Sequence, residues 1–179
     1  MDTPLEHLVK GCLGGDRHSQ RALYERFKVP MFRLCLRYAK DGPEAEDLLQ
    51  EGFIKVFSDL HQFKHRGALG GWIRRVMVNI ALQHIRKNKQ LFTNVEIETM
   101  EDRHSTDENI FAELGAKNLT KMIQQLPPGY RAVFNMYVIE GYSHKEIADQ
   151  LNISENTSKS QLSKAKATLR KRLEKVMIS

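Results

Sequence analysis

Only two cysteines, Cys12 and Cys35, occur in the 179 residues. They are too few and too scattered for a disulfide framework or a thiolate zinc site, so both are expected as small buried hydrophobes in a reducing cytoplasm. Histidine offers no better metal set: His61 and His65 sit four apart in a glycine-rich stretch with no third ligand nearby. No apolar run approaches membrane-spanning length, and the start MDTPLEHLVKG lacks a signal-peptide core. A soluble cytoplasmic protein without membrane insertion is therefore expected. No stretch reads as a strand, and there is no internal repeat or low-complexity run. Also missing are a phosphate-cradling glycine loop and a nucleophile with convergent activating groups. The sequence thus predicts neither an enzyme nor a metal or other cofactor.

What is present is positive charge, unevenly spread. Lys and Arg number 28 against 22 Asp and Glu, a net of +6. Residues 1 to 91 carry 16 basic and 10 acidic side chains, residues 92 to 114 one and seven, and residues 115 to 179 eleven and five. Two basic bodies joined by an acidic strap suggest two modules facing nucleic acid and a connection that avoids it. The expected fold is all-α: a helical domain over 1–91, a flexible acidic linker over 92–113 and a second helical domain over 114–179. Fully extended, the 22 linker residues reach roughly 75 Å, about two turns of duplex.

The most informative stretch is Ser143 to Arg172, SHKEIADQLNISENTSKSQLSKAKATLRKR. Ser143 and Glu146 form an S-x-x-E capping box ahead of the apolar set Ile147, Ala148 and Leu151. Asn152 suits a left-handed turn position, and Ser154 caps a second helix. On that helix Leu162, Ala165, Leu169, Leu173 and Val176 share a buried stripe. Asn156, Thr157, Lys159, Ser160, Ser163 and Lys164 point the other way; they are cations and short hydrogen-bonders, the types that reach phosphates and base edges. Capping, turn, small Ala148 and basic outer face together predict a DNA-binding helix-turn-helix.

Upstream, a short stripe (Leu5, Leu8, Val9) is ended by Gly14 and Gly15. Asp16 caps a helix running to about Phe27, with Ala22, Leu23 and Phe27 inward, and Pro30 is expected to start a new one with Met31, Leu34, Cys35 and Tyr38 on one side. Asp41-Gly42-Pro43 opens another helix, with Ala45, Leu48, Leu49, Phe53, Val56, Phe57 and Leu60 buried. Its outer face, Glu44, Asp47, Gln50, Glu51 and Lys55, is mostly acidic, which suits a protein partner better than DNA. FKHRGALGG reads as a loop. It feeds a basic helix with Ile73, Val76, Met77, Ile80, Ala81 and Ile85 inward and Arg74, Arg75, Asn79, Gln83, Arg86, Lys87 and Lys89 outward. Its leading Trp72 reads first as a core anchor and second as a stacking platform for single-stranded bases. Leu114 to Gln125 and Tyr130 to Glu140 are two further helices around the Pro127-Pro128-Gly129 stop. Their inward residues are Leu114, Leu119, Met122, Ile123 and Leu126, then Val133, Phe134, Tyr137 and Val138.

The ordered set EDLLQEGFIKVF (46–57), F-K-x-R-G (63–67), Trp72-Ile73-x-Arg75, Asn79-x-Ala81-x-x-x-x-Arg86-Lys87 and LPPGYRAVFNMYVIEGYSHKEIADQLNISENTSKSQLSKAKATLR (126–170) resembles a group 4, extracytoplasmic-function, RNA polymerase sigma factor. The resemblance runs from about residue 20 to the end. It implies that Asp47, Gln50, Glu51 and Lys55 dock on the clamp helices of the β′ subunit of core RNA polymerase. Arg66, Trp72, Arg74, Arg75, Asn79, Gln83, Arg86 and Lys87 would then melt the −10 element, with Asn79 and loop residues 66 to 71 holding a flipped non-template base. The strap would thread a polymerase channel, the helices from 114 to 138 would pack on the β flap, and Asn156, Thr157, Lys159, Ser160, Ser163 and Lys164 would read the −35 duplex. An anti-sigma factor or another recruiting factor is a further expected partner.

Three positions depart from the family pattern. Gln83 stands where Asp is frequent. Ser158 replaces a common Val on the inner side of the recognition helix, which is expected to weaken packing. Gln161 replaces a frequent Arg, which is expected to remove a phosphate contact. The alternative reading is a stand-alone helix-turn-helix regulator with an N-terminal sensing or dimerisation domain; the acidic face, the Trp-led basic helix and the long strap argue against it.

Overall fold

A computed structural model of the chain describes residues 4–64, 68–87 and 113–178. Among these there are eight α-helices, a 3-10 turn, a π-helical turn and no strand. The helices are α1 (Leu5–Leu13), α2 (Arg17–Tyr38), α3 (Gly42–Asp59), α4 (Leu69–Lys87), α5 (Glu113–Gln124), α6 (Pro128–Phe134), α7 (His144–Leu151) and α8 (Glu155–Ile178). The fold is all-α. Backbone contacts divide the chain into two compact units, 1–83 and 84–179, with the division falling inside α4.

In the first unit, local chemistry fixes where helices begin. Asp16 accepts from the N–H groups of His18 and Ser19 at 3.3 and 2.9 Å, and Asp41 accepts from the Glu44 N–H at 2.9 Å. Both serve donors that a helix start leaves unpaired. Long-range order comes from glycines at crossing points. A Cβ on Gly52 of α3 would collide with the Met77 thioether of α4, and one on Gly70 would lie 3.1 Å from the Phe27 ring of α2. These close approaches help to seal a core that includes Leu23, Leu34, Cys35, Val56, Ile73 and Met77, each no more than 1% exposed. Burying one such side chain stabilises the fold by about 1.5–3 kcal/mol. Both cysteines are buried free thiols, as expected.

Three expectations for this unit are corrected. Pro30 does not start a helix but lies inside α2. Val29 and Pro30 are exposed, so the missing donor falls on the solvent side, while Met31, Leu34 and Cys35 keep the burial that holds the helix together. Ala22 is exposed rather than inward. The stretch read as loop up to residue 71 is helical from Leu69, because buried Leu69 and the Gly70–Phe27 contact pull the start of α4 into the core.

The second unit is built on α8. Met122, Ile123 and Leu126 from the α5 segment, Tyr130 from α6 and Ala165 and Leu169 from α8 form one cluster, with Phe134 half-buried against it. The C-terminal carbonyls of α5 are taken by two guanidinium groups. Arg131 Nη1 donates to Gln124 O at 2.8 Å, and Arg172 Nη1 and Nη2 donate to Met122 O and Gln125 O at 3.1 and 3.4 Å.

Tyr137 and Val138 were expected inward but are 39% and 49% exposed, while Met136 is fully buried. The cause is the π-helical turn at Asn135–Ile139, closed by Glu140 N–H to Asn135 O at 2.9 Å. A π turn takes up an extra residue, which rotates the following side chains away from the stripe that an unbroken α-helix would give them. Leu119 and Leu173 are also corrected to partly exposed, at 42% and 43%. Val176 and Leu114 lie outside the described side chains.

Candidate functional site

The helix-turn-helix forms as its residues dictate. The capping box at Ser143 is complete: the Glu146 carboxylate accepts from the Ser143 N–H at 2.8 Å, and the Glu146 N–H donates to Ser143 Oγ at 3.2 Å. The Ser143 backbone N–H and hydroxyl hold the Glu146 carboxyl below its ordinary range. Asn152 adopts the left-handed conformation, φ 54° and ψ 50°, and Ser154 Oγ accepts from the Thr157 N–H at 3.0 Å.

On α8, Asn156, Lys159, Ser160, Ser163 and Lys164 are exposed. Thr157 is half-buried, and its hydroxyl lies 2.8 Å from Ser154 Oγ, so it completes the cap as well as edging the outer face. Ser160 Oγ donates to the Thr157 carbonyl at 3.0 Å, which leaves its oxygen free to accept.

Two departures from the family pattern are reinterpreted. Ser158 is fully buried, but its Oγ lies 2.9 Å from His144 Nδ1, so a lost methyl contact is replaced by a hydrogen bond between the two helices. Gln161 is only 8% exposed and shares the inner side with Ser158, Leu162 and Ala165. A residue there faces the unit's interior, which removes the basis for a lost phosphate contact.

On α3, Asp47, Gln50, Glu51 and Lys55 are all exposed. Lys55 pairs with Asp59 at 3.1 Å along the helix, which leaves Asp47 and Glu51 to set the sign of the face. Sequence reasoning missed Ile54, which is 71% exposed in the midst of this set. Its signal was legible: it falls three and four positions after Glu51 and Gln50, on the polar side of the helical period.

On α4, Arg75, Asn79, Gln83 and Lys87 are exposed at intervals of four and form a row about 18 Å long, cationic at both ends with two amides between. Arg74 and Arg86 are half-buried. Trp72 is half-buried too, with its ring 5.8 Å from that of Phe63. Val78 and Leu82, absent from the expected inward set, are each 1% exposed. Arg66 lies outside the described residues. The described residues contain no group of three or more His, Cys, Asp or Glu able to hold a metal, and no helix long and apolar enough to cross a membrane.

Residues 23–90 match the family model of sigma-70 region 2, and residues 116–169 match that of sigma-70 region 4. The chain belongs to the sigma-70 family, extracytoplasmic-function subfamily. It is 27% identical to the ECF RNA polymerase sigma factor SigW of Bacillus subtilis, a match covering 97% of this chain and 98% of that protein. It is 25% identical to the RNA polymerase sigma-H factor of Pseudomonas aeruginosa, covering 96% and 95%. Among solved structures it is similar to CnrH in complex with the cytosolic domain of CnrY, at a TM-score of 0.48 and 18% identity over 93% of this chain and 95% of that one. As a sigma factor, the chain directs RNA polymerase to promoters. Sigma factors are transcription initiation factors rather than enzymes.

Proposed function

We propose that this sigma factor divides its work among three helical faces. The α3 face of Asp47, Gln50, Glu51 and Lys55 binds the β′ clamp of core RNA polymerase. The α4 face, from Trp72 to Lys87 with Arg66 before it, captures and melts the −10 element: Arg75 and Lys87 hold phosphates, and Asn79 and Gln83 contact unstacked bases. Unstacking costs a few kcal/mol, which base stacking and phosphate contacts offset. The α8 face of Asn156, Thr157, Lys159, Ser160, Ser163 and Lys164 reads the −35 duplex in the major groove. In this reading 1–91 and 114–179 act as separate domains, and the acidic 92–113 segment connects them past the enzyme. The protein works in the cytoplasm, where an anti-sigma or recruiting factor controls its access to polymerase.

The observation that carries this reading is the segregation of charge by helix. Exposed carboxylates gather on α3, while exposed cations flanked by short hydrogen-bonders gather on α4 and α8. Adding the chain to core RNA polymerase should yield run-off transcripts from a subset of its source genome's fragments. Asn79→Ala should abolish permanganate-reactive thymines near −10 while the closed complex persists. Absence of transcripts from every fragment, or melting that survives the substitution, overturns the assignment.

A further inference from the structure

His144 is where three elements of the second unit meet. It is the first residue of α7, and its ring stacks on Tyr137 of the π-helical turn, with centroids 4.5 Å apart and planes 23° apart. Its Nδ1 lies 2.9 Å from Ser158 Oγ on α8. Ser158 is fully buried, so its hydroxyl has no water to turn to, and it stands between Thr157 and Lys159 of the proposed DNA-reading set. A second tie joins the same elements: Lys166 Nζ of α8 sits 5.9 Å from the Tyr137 ring centroid.

A hydrogen bond of this kind tolerates little displacement, because it weakens steeply as its angle and distance depart from ideal. The side-chain tips of an α-helix lie about 5–6 Å from its axis, so turning α8 by roughly 20° would move them about 2 Å. That movement breaks the His144–Ser158 bond and shifts Lys159 and Ser160 by the width of a base-edge contact. Apolar packing by Leu162, Ala165 and Leu169 holds α8 against its core, and the His144–Ser158 bond adds a directional tie on the turn that carries Thr157 and Lys159.

We infer that His144 and Ser158 are a positioning pair that sets the rotation of α8 about its axis, and through it the sequence preference of the recognition helix. The inference rests on the reading of α8 as the −35-binding helix. Neither residue need touch DNA. The pair is legible only in three dimensions: Ser158 alone reads as a packing defect, and nothing in the sequence singles out His144 as its partner.

The test uses the full chain and a −35 duplex selected by the wild-type chain from a randomised library, with a shuffled duplex of equal composition as reference. His144→Ala and Ser158→Ala should each lower the ratio of the two affinities roughly three- to tenfold, leaving shuffled-duplex affinity within about twofold. The double variant should fall no further than the worse single, since the two act through one bond. His144→Asn, which returns a polar atom near the Nδ1 position, should recover most of the ratio. A merely structural role would lower the melting temperature and leave the ratio intact. Ser158→Ala removes a single oxygen and keeps the test in force if His144→Ala does not fold. A ratio preserved in both folded singles, or losses that add in the double, overturns the pair alone. A wild-type chain that selects no duplex overturns the −35 reading beneath it.

Discussion

Arg172 Nη1 of α8 donates to the carbonyl of Met122 in α5 across 50 positions of sequence, at 3.1 Å. Its Nη2 reaches the Gln125 carbonyl at 3.4 Å. The cation sits where the α5 macrodipole is negative and two carbonyls lack a helical partner, so one side chain both caps α5 and ties it to the long α8. Arg172→Ala should destabilise this unit by about 1–2 kcal/mol, read as a melting temperature lower by a few degrees. Arg172→Lys should recover little, because a single ammonium cannot serve both carbonyls in the same fork geometry. An unchanged melting curve for Arg172→Ala would show that Arg131 closes the helix end alone.

The α3 face makes a different demand. Ile54, 71% exposed among Gln50, Glu51 and Lys55, has the character of an anchor that a protein partner would cover. Asp47→Ala with Glu51→Ala should slow association with core RNA polymerase and make it less salt-sensitive, whereas Ile54→Ala should speed dissociation and raise Kd about tenfold. Stopped-flow binding with labelled core enzyme separates the two. Duplex affinity of the same variants should match wild type; a parallel loss there would contradict the division of faces.

Lys159 and Lys164 are exposed on α8, and within the proposed −35 face they are the cations suited to phosphates. Removing either should reduce the slope of log affinity against log salt by about one and weaken binding across sequences alike. Asn156→Ala should instead relax preference at particular bases, with the salt slope unaltered. Titrations at several salt concentrations decide between the two behaviours. Slopes unaffected by either Lys substitution would remove both from the phosphate interface.

Glu146 supplies a pH signature. The Ser143 backbone and hydroxyl donors hold its folded-state carboxyl below the ordinary glutamate range. A depressed carboxyl adds stability that is fully present above the unfolded-state value and is lost as pH falls through the folded one. Wild type should therefore be more stable than Glu146→Ala at pH 7, with the gap closing as pH falls below about 4. Urea denaturation at both ends of that range measures it; a constant gap would mean that the box works without ionisation.

Much of this was readable in the sequence, for local reasons. Asp16, Ser143, Ser154 and Asn152 act within three or four residues of themselves, so residue type and spacing suffice to place them. Where reading failed, a distant contact decided the outcome. Pro30 continues its helix because the flanking apolar residues are buried by other helices, and Gly70 is helical because Phe27 lies against it. The faces of α3 and α4 were legible as polar sides of a period, although Ile54 hid among the charges and Val78 with Leu82 formed a second buried stripe. Ser158 was visible as an oddity; its partner His144, fourteen positions earlier, was not.

The π-helical turn at Asn135–Ile139 closes its helix and sets how the chain enters the short connection to α7. Deleting one amino acid there would restore ordinary helical closure and turn the last residues of that helix by about 100°, Tyr137 with its stack on His144 included, since each residue advances an α-helix by that angle. Insertions and deletions within these five positions should thus be as damaging as substitutions at the DNA-reading face, though none of the five is assigned to it.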